Sequence, residues 1–384
     1  MCYKLITIIG MSISVVIAKP TKQCNADCSY CSTPPDGAPK WTIDNFRRSL
    51  DILSGSMANN VEWIWHGGEP MLMGPDFFYE AQEVAQEYST NFQFSMQTNA
   101  LAYSSSRWFE LFRGVFEGRI STSFEPGTKS RTVMGSSETF DRTFLRAMDS
   151  LLSDGFAPLV ISTITDRTTD AALSLYEKSV SDWGVDIRIN YAAPVGRSIE
   201  NQGLISPDRY SRVLLELLDR WVRDSPKFDV VPLSQMLRKI VGLDSERCPW
   251  TKSCGGRFIS INPDGAVFNC SEFADMGGDS YKFGQLWGDE AVRLVGGGAQ
   301  LMSSPAATDI MMRTIDQPRS CKSCLHFKEC EGGCARDSVL FERGMGGKFY
   351  YCDTWMTLFA ELKARLSRGD FKEMFLTRGV VVNE

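Results

Sequence analysis

The chain reads as an α/β protein: a partial (β/α)6 TIM-like barrel followed by a cysteine-rich C-terminal segment. Two observations predict this. From residue 12 to about 195, apolar β-rich runs alternate with amphipathic helical stretches, and such β-α repeats imply a parallel sheet whose chemistry sits at the C-terminal strand ends. From Cys248 onward glycine and cysteine become frequent and periodicity fades, the texture of a region held by metal ligation more than by an apolar core.

The strands are expected over Ser12–Ala18, Val61–Trp65, Phe92–Met96, Arg119–Ser123, Leu159–Thr163 and Asp186–Asn190. Between them lie helices. Thr42–Leu53 begins on a threonine suited to the N-cap, and Pro75–Tyr88 begins on a proline suited to a first turn. Ser106–Phe112, Phe140–Leu152 and Ala171–Trp183 follow, the last two stopped by Gly155 and Gly184. Ser206–Arg223 is a further helix with Pro207 in its first turn, and residues 224–245 read as a bridge. Gly296-Gly297-Gly298 reads as a flexible loop. The expected divisions are 1–200 for the barrel, 201–245 for a bridging helical segment, 246–355 for the cysteine-rich domain and 356–384 for a C-terminal helix and tail. Trp63, Trp65, Phe92 and Phe94 alternate on strands and are expected in the core.

At 384 residues and 43% hydrophobic, the chain is long enough for one large and one smaller domain. Its net charge of −6, without a Lys/Arg run, argues against nucleic acid as a partner. No apolar run reaches the length of a membrane span. Leu5–Ala18 resembles the apolar part of a signal peptide, but its β-branched end leads straight into a cysteine loop and fits a buried first strand. Reduced thiols and a cytoplasmic location are expected.

Eleven of the twelve cysteines fall into two spaced sets, and Cys2 is left over. The first set is Cys24-x3-Cys28-x2-Cys31. Three thiolates leave a four-iron cluster one ligand short, and that open iron is where chemistry can occur. A tetrahedral zinc site fits less well, since the histidines, His66 and His326, lie far along the chain. This motif resembles that of the radical S-adenosyl-L-methionine (SAM) superfamily, and Tyr30 stands where members carry an aromatic residue. The resemblance implies a 4Fe-4S cluster whose fourth iron is chelated by SAM, and reductive SAM cleavage to a 5′-deoxyadenosyl radical. It extends to Gly67-Gly68-Glu69-Pro70 after the second strand, where Glu69 would accept from the SAM ammonium and the glycines would let the backbone approach the ligand. Thr98 and Asn99 end the third strand, Ser123 would contact the ribose, and Arg131 would meet the SAM carboxylate. Where relatives read Ser-Leu-Asp-Gly, this chain has Ser123-Phe124-Glu125-Pro126, so a contact from Glu125 does not carry over. Arg197, in Pro194-Val195-Gly196-Arg197, reads as a structural salt bridge, and His66 as a hydrogen-bonding neighbour of the site.

The second set is Cys248, Cys254-x10-Gly265-x4-Cys270, Cys321-x2-Cys324-x5-Cys330-x3-Cys334 and Cys352. It resembles the SPASM domain of sulfatase and ribosomal-peptide maturases. The resemblance implies two further 4Fe-4S clusters, making three. One would be held by Cys248, Cys254, Cys270 and Cys334, the other by Cys321, Cys324, Cys330 and Cys352. In sulfatase-maturating relatives an aspartate base follows the third cysteine; here Cys270 is followed by Ser271 and then Glu272, which is the candidate catalytic base.

The resemblance implies a peptide maturase acting on a precursor peptide, with oxidative crosslinking through a carbon–carbon or thioether bond, and an external electron donor such as flavodoxin or ferredoxin. Three other readings remain open: a sugar or nucleoside dehydrogenase or epimerase, formylglycine-type protein oxidation, and a non-catalytic electron carrier. With about a dozen residues before the first strand, the N-terminal peptide-recognition domain of many such maturases is expected to be absent.

Overall fold

A computed structural model describes residues 12–201, 203–243, 248–251, 254–291, 297–341 and 344–378. Cys2 and the first part of the apolar stretch lie outside the described residues. The six expected strands are present: β1 (Ile13–Ala18), β2 (Met57–Trp65), β3 (Asn91–Gln97), β4 (Ile120–Ser123), β5 (Leu159–Ile164) and β6 (Ile187–Tyr191). They pair in parallel in chain order, with Val16 opposite Trp63 and Trp63 opposite Phe94. Along β2 the burial alternates, with Val61, Trp63 and Trp65 buried, as the period of two requires.

The intervening helices are α1 (Ile43–Leu53), α2 (Pro75–Ala85), α3 (Ser105–Gly114), α4 (Ser137–Ser153) and α5 (Asp170–Lys178), the last running into a π-turn that stops at Gly184 in the left-handed region. Thr42 caps α1, its backbone N–H donating to the Asn45 carbonyl Oδ1 at 2.8 Å. In α6 (Pro207–Asp224) the Ser206 hydroxyl accepts from the Arg209 N–H at 3.2 Å. Phe46 of α1 meets Trp63 edge-on, ring centres 5.1 Å apart, and the Trp65 ring stacks 6.1 Å from Phe94. These aromatics fasten α1 to the sheet.

Three elements depart from the expectation. The bridge over 224–245 contains a short strand, β7 (Val230–Val231), which pairs in parallel with β6, and a helix, α7 (Leu233–Ile240). The segment after Cys248 is not coreless. Its strand β8 (Phe258–Ile261) lies parallel to β1, and β9 (Ala266–Phe268) and β10 (Lys282–Gln285) follow as an antiparallel meander. Among the described residues one ten-stranded sheet therefore runs in the order β10-β9-β8-β1-β2-β3-β4-β5-β6-β7. Ile259, Ile261 and Val267 join the same apolar core as Val16 and Trp63. Finally, Gly297 and Gly298 open a helix, Gly297–Met302, and are buried; a Cβ on Gly298 would lie 3.0 Å from the Ile52 carbonyl of α1, so glycine serves packing there, not flexibility. Gly296 lies outside the described residues.

The remaining long helices are α8 (Pro305–Ile315) and α9 (Cys352–Arg368). Trp355, Leu358, Phe359 and Leu362 of α9 share a second core with Leu214, Leu217 and Leu218 of α6 and Met236 of α7. Among the described residues no helix is long and apolar enough to cross a membrane.

Candidate functional site

The loop carrying Cys24, Cys28 and Cys31 leaves the C-terminal end of β1 and is pinned by the ends of other strands. Backbone N–H groups of Gly68 and Glu69 donate to the Thr21 and Gln23 carbonyls at 2.9 and 2.8 Å. A Cβ on Gly67, whose φ is +119°, would sit 2.4 Å from the Thr21 oxygen, and one on Gly68 would sit 2.3 Å from the Gln23 oxygen. These glycines thus bring the strand end against the cysteine loop itself. From the other side the Arg197 N–H donates to the Cys31 carbonyl at 3.0 Å, and Gly196 is crowded in the same way, 2.3 Å from that oxygen. The Arg197 side chain forms the expected salt bridge, with Asp27. Asp27–Cys28 pairs antiparallel with Arg131–Thr132, and the Ser29 N–H donates to the Ser130 carbonyl at 2.8 Å.

Glu69 is fully buried beside this loop. Its carboxylate accepts from the Thr98 hydroxyl at 2.6 Å, the Asn99 N–H at 2.7 Å and the Met71 N–H at 2.9 Å. Burial pushes its pKa up to about 7, against the pull of those three donors. Pro70, also buried, starts the short turn that follows. The Asn99 side-chain amide donates to the Asn25 carbonyl Oδ1 at 2.7 Å and reaches the Cys24 sulfur at 3.7 Å. Glu69, Thr98, Asn99 and Cys24 thus form one cluster. His66 is pulled down to about 4 by burial, with Lys19 adding to the effect, and is neutral. Its Nδ1 accepts from the Gly67 N–H at 2.7 Å.

Arg131 is brought to the loop, but its guanidinium is engaged by Glu125, at 2.5 Å from Nε. Glu125 is buried and also accepts from the Thr163 N–H at 2.9 Å. The Arg131 guanidinium stands 5.4 Å from the centre of the Tyr30 ring, within cation–π range. The sequence leaves this partnership unread: Glu125 and Arg131 are six positions apart with no regular element spanning them, and only Glu125-Pro126 in place of the usual aspartate-glycine hinted at it. Ser123 closes β4 opposite Ile161.

Several of the later cysteines neighbour one another. Cys334 lies within electrostatic reach of Cys248 and Cys270, and Cys270 within reach of Cys254. Cys330 is within reach of Cys352, Cys321 and Cys324. Those four also line one mostly apolar cavity with His326, Phe349, Trp355 and Phe359. The Arg313 guanidinium reaches both groups and donates to the Gly332 carbonyl at 3.1 Å and the Gly347 carbonyl at 3.0 Å. Gly265, with φ at +89°, packs on Trp287, where a Cβ would lie 2.6 Å from the indole. Sulfurs accept from Asn269 (to Cys254, 3.5 Å) and from the His326 N–H (to Cys324, 3.4 Å).

Among the described residues, no three Cys, His, Asp or Glu groups come together as a single metal ion would need. The donor set fits four-iron clusters, in which each thiolate binds a separate iron. Burial pushes the Cys24 and Cys31 thiols up to about 11 and 12, so iron must displace their protons on binding. Glu272, the candidate base, is about half exposed and ion-paired with the buried Arg336, which also meets Asp337 at 2.9 Å. Asp337 in turn accepts from the Tyr191 hydroxyl at the end of β6.

No protein-family model matches the chain. Among characterised proteins, it is 22% identical over 339 residues to the serine-type anaerobic sulfatase-maturating enzyme of Klebsiella aerogenes, covering 83% of this chain and 79% of that protein. It is 23% identical over 377 residues to the cysteine-type enzyme of Clostridium novyi (93% and 96% covered). To the mycofactocin maturase MftC of Mycobacterium tuberculosis it is 25% identical over 329 residues (82% and 76% covered). Among solved structures, anSMEcpe with bound AdoMet superposes with a TM-score of 0.75 at 18% identity, covering 93% of this chain and 99% of that one. Streptococcus suis SuiB bound to S-adenosylmethionine superposes at 0.62 and 13% identity, covering 90% and 78%. With these likenesses beside the two cysteine sets, the chain is similar in sequence and fold to radical SAM enzymes of the sulfatase-maturating and mycofactocin-maturase kind.

Proposed function

We propose that the protein is a radical SAM peptide maturase that crosslinks a precursor peptide oxidatively, through a carbon–carbon or thioether bond, with three 4Fe-4S clusters. The observation that carries the reading is the pinned loop: three cysteines at the strand ends, held by backbone contacts beside a buried Glu69. Cys24, Cys28 and Cys31 would hold a cluster there, which together with SAM would supply the one-electron chemistry that generates a hydrogen-abstracting radical. The protein's part is positioning and electrostatics. Glu69 becomes fully charged when an ammonium group offsets its burial, so it favours a cationic ligand over a neutral one. Arg131, whose Nε and Nη2 donate to Glu125, offers its remaining donors to a carboxylate. The two later cysteine groups supply four thiolates each, which suits electron acceptance from a substrate radical over substrate ligation. Glu272 is the proposed base, its orientation set by Arg336.

A peptide substrate is supported by the mycofactocin maturase likeness and by the fold shared with SuiB bound to the precursor peptide SuiA. Ser271, standing where sulfatase maturases have their aspartate, favours crosslinking over formylglycine formation. The test is anaerobic. The reconstituted, reduced enzyme with SAM is expected to release 5′-deoxyadenosine faster with a small-peptide fraction from its host. Stimulation by a metabolite fraction alone would overturn the peptide reading.

A further inference from the structure

Lys19 directly follows β1, and its side chain is entirely shielded from solvent. Its ammonium forms an ion pair with Asp275 and reaches the Ser271 carbonyl at 3.5 Å. Asp275 ends the short helix Ser271–Asp275, which begins immediately after Cys270. Its carboxylate also accepts from the Ser32 and Thr33 hydroxyls, both at 2.7 Å. Ser32 and Thr33 are the two residues after Cys31. One buried carboxylate therefore joins the end of β1, the exit of the front cysteine loop and the segment leaving Cys270.

Burying such a pair costs several kcal/mol in desolvation, and an apolar pair would pack the same volume more cheaply. What an apolar pair cannot do is accept two hydroxyl hydrogen bonds at fixed positions. Burial opposes the charge on Asp275, but Lys19 and the hydroxyl donors hold its carboxyl below the usual range, so the tie persists at neutral pH. The backbone contacts of Thr21, Gln23 and Cys31 hold the loop on the barrel side. Asp275 holds it on the auxiliary side.

We propose that Asp275, supported by Lys19, is a positioning residue that sets the exit of the SAM-binding loop relative to the segment after Cys270, so that SAM binding depends on a contact from the auxiliary region. This rests on reading Cys24–Cys31 as the SAM-binding loop. Placement errors of an ångström at a reacting centre are costly, which is why a fixed exit matters.

Two double variants test it. Ser32→Ala with Thr33→Val removes the hydroxyls and leaves the ion pair intact. Lys19→Met with Asp275→Leu replaces the pair by apolar groups of similar size. In the iron-free chain, hydrogen exchange over residues 24–36 is expected to rise about tenfold in both, the equivalent of one to two lost hydrogen bonds. In the reconstituted enzyme, KM for SAM should rise about tenfold with a smaller change in kcat, and SAM should perturb the electron paramagnetic resonance spectrum of the front cluster less. Iron at the two auxiliary sites should stay constant. Exchange and KM unchanged in the hydroxyl variant would overturn the proposal, and that arm decides if the apolar pair fails to fold. If the unaltered enzyme releases no 5′-deoxyadenosine, the functional reading fails, while the exchange measurement still reports on the tether.

Discussion

The loop of Cys24, Cys28 and Cys31 is tied down across long stretches of sequence, whereas the turns bearing Cys321, Cys324, Cys330 and Cys352 are tied largely to themselves. At the front, partners come from Gly68, Ser130 and Arg197, which belong to the ends of different strands. At the rear, the Cys324 N–H donates to the Cys321 carbonyl at 3.2 Å, that of Cys330 to His326 at 2.9 Å and that of Cys352 to Phe349 at 3.1 Å. Local turns fix local geometry. They do not bring Cys352 to Cys321; the α9 packing and Arg313 do part of that. On the proposed reading, the front loop has a scaffold independent of any metal, whereas at the rear a closed cluster would serve as the scaffold of its own ligands.

The sharpest way to separate the two regions is to remove the front ligands. With Cys24, Cys28 and Cys31 all replaced by Ala, SAM cleavage should vanish, about two clusters' worth of iron should remain, and the melting temperature should hardly move. Unchanged iron would break the assignment. Next, Gly68→Ala forces a methyl to within 2.3 Å of a backbone oxygen. Neither strand end nor loop can yield cheaply, so a loss of about 3 kcal/mol is expected in chemical denaturation, with iron lost from the front site and kept at the rear. Third, chelating all iron should speed hydrogen exchange about tenfold or more over residues 321–352 while residues 24–31 change little. Equal loss of protection in both would show that the front loop, too, depends on its metal.

The smallest effect concerns pH. Glu69, raised from 4.5 to about 7 in the fold, binds its proton more tightly folded than unfolded. Its contribution is thus favourable at low pH and is lost as pH climbs from about 4.5 through 7. Glu69→Gln removes that loss, so the iron-free variant should gain on the parent chain by up to about 1.4 kcal/mol per pH unit across this window. His66, lowered to about 4, acts in the opposite direction, losing stability as pH falls from 6.5, and cancels from the comparison because both chains carry it. Parallel stability curves would show that Glu69 titrates normally.

Much of this architecture was legible because the barrel strands are long enough to display a period of two and the helices carry caps, as at Thr42 and Ser206. Val230–Val231 and Phe258–Ile261 were not, since two or four residues show too little alternation to tell a strand from a loop. The two cysteine sets were readable as spacing, while their division into ligand groups is what the family resemblance implies. Contacts such as Lys19 with Asp275 or Glu125 with Arg131 were not, because pairing of charges is a tertiary fact that no local pattern encodes. Gly67 and Gly68 are legible as positions needing glycine, but their close contact with the Thr21 and Gln23 carbonyls of the loop is a tertiary fact.

The placement of β8 beside β1 has a consequence for biogenesis. β1 leaves the ribosome long before Phe258–Ile261, its neighbour on one side. At ~5–20 residues per second, that side stays unpaired for tens of seconds of elongation. An apolar, β-branched edge left open that long invites intermolecular pairing. Slowing initiation or cooling the culture lowers the number of such nascent edges present at once, and should raise the soluble yield of this chain more than that of a barrel whose first strand pairs early.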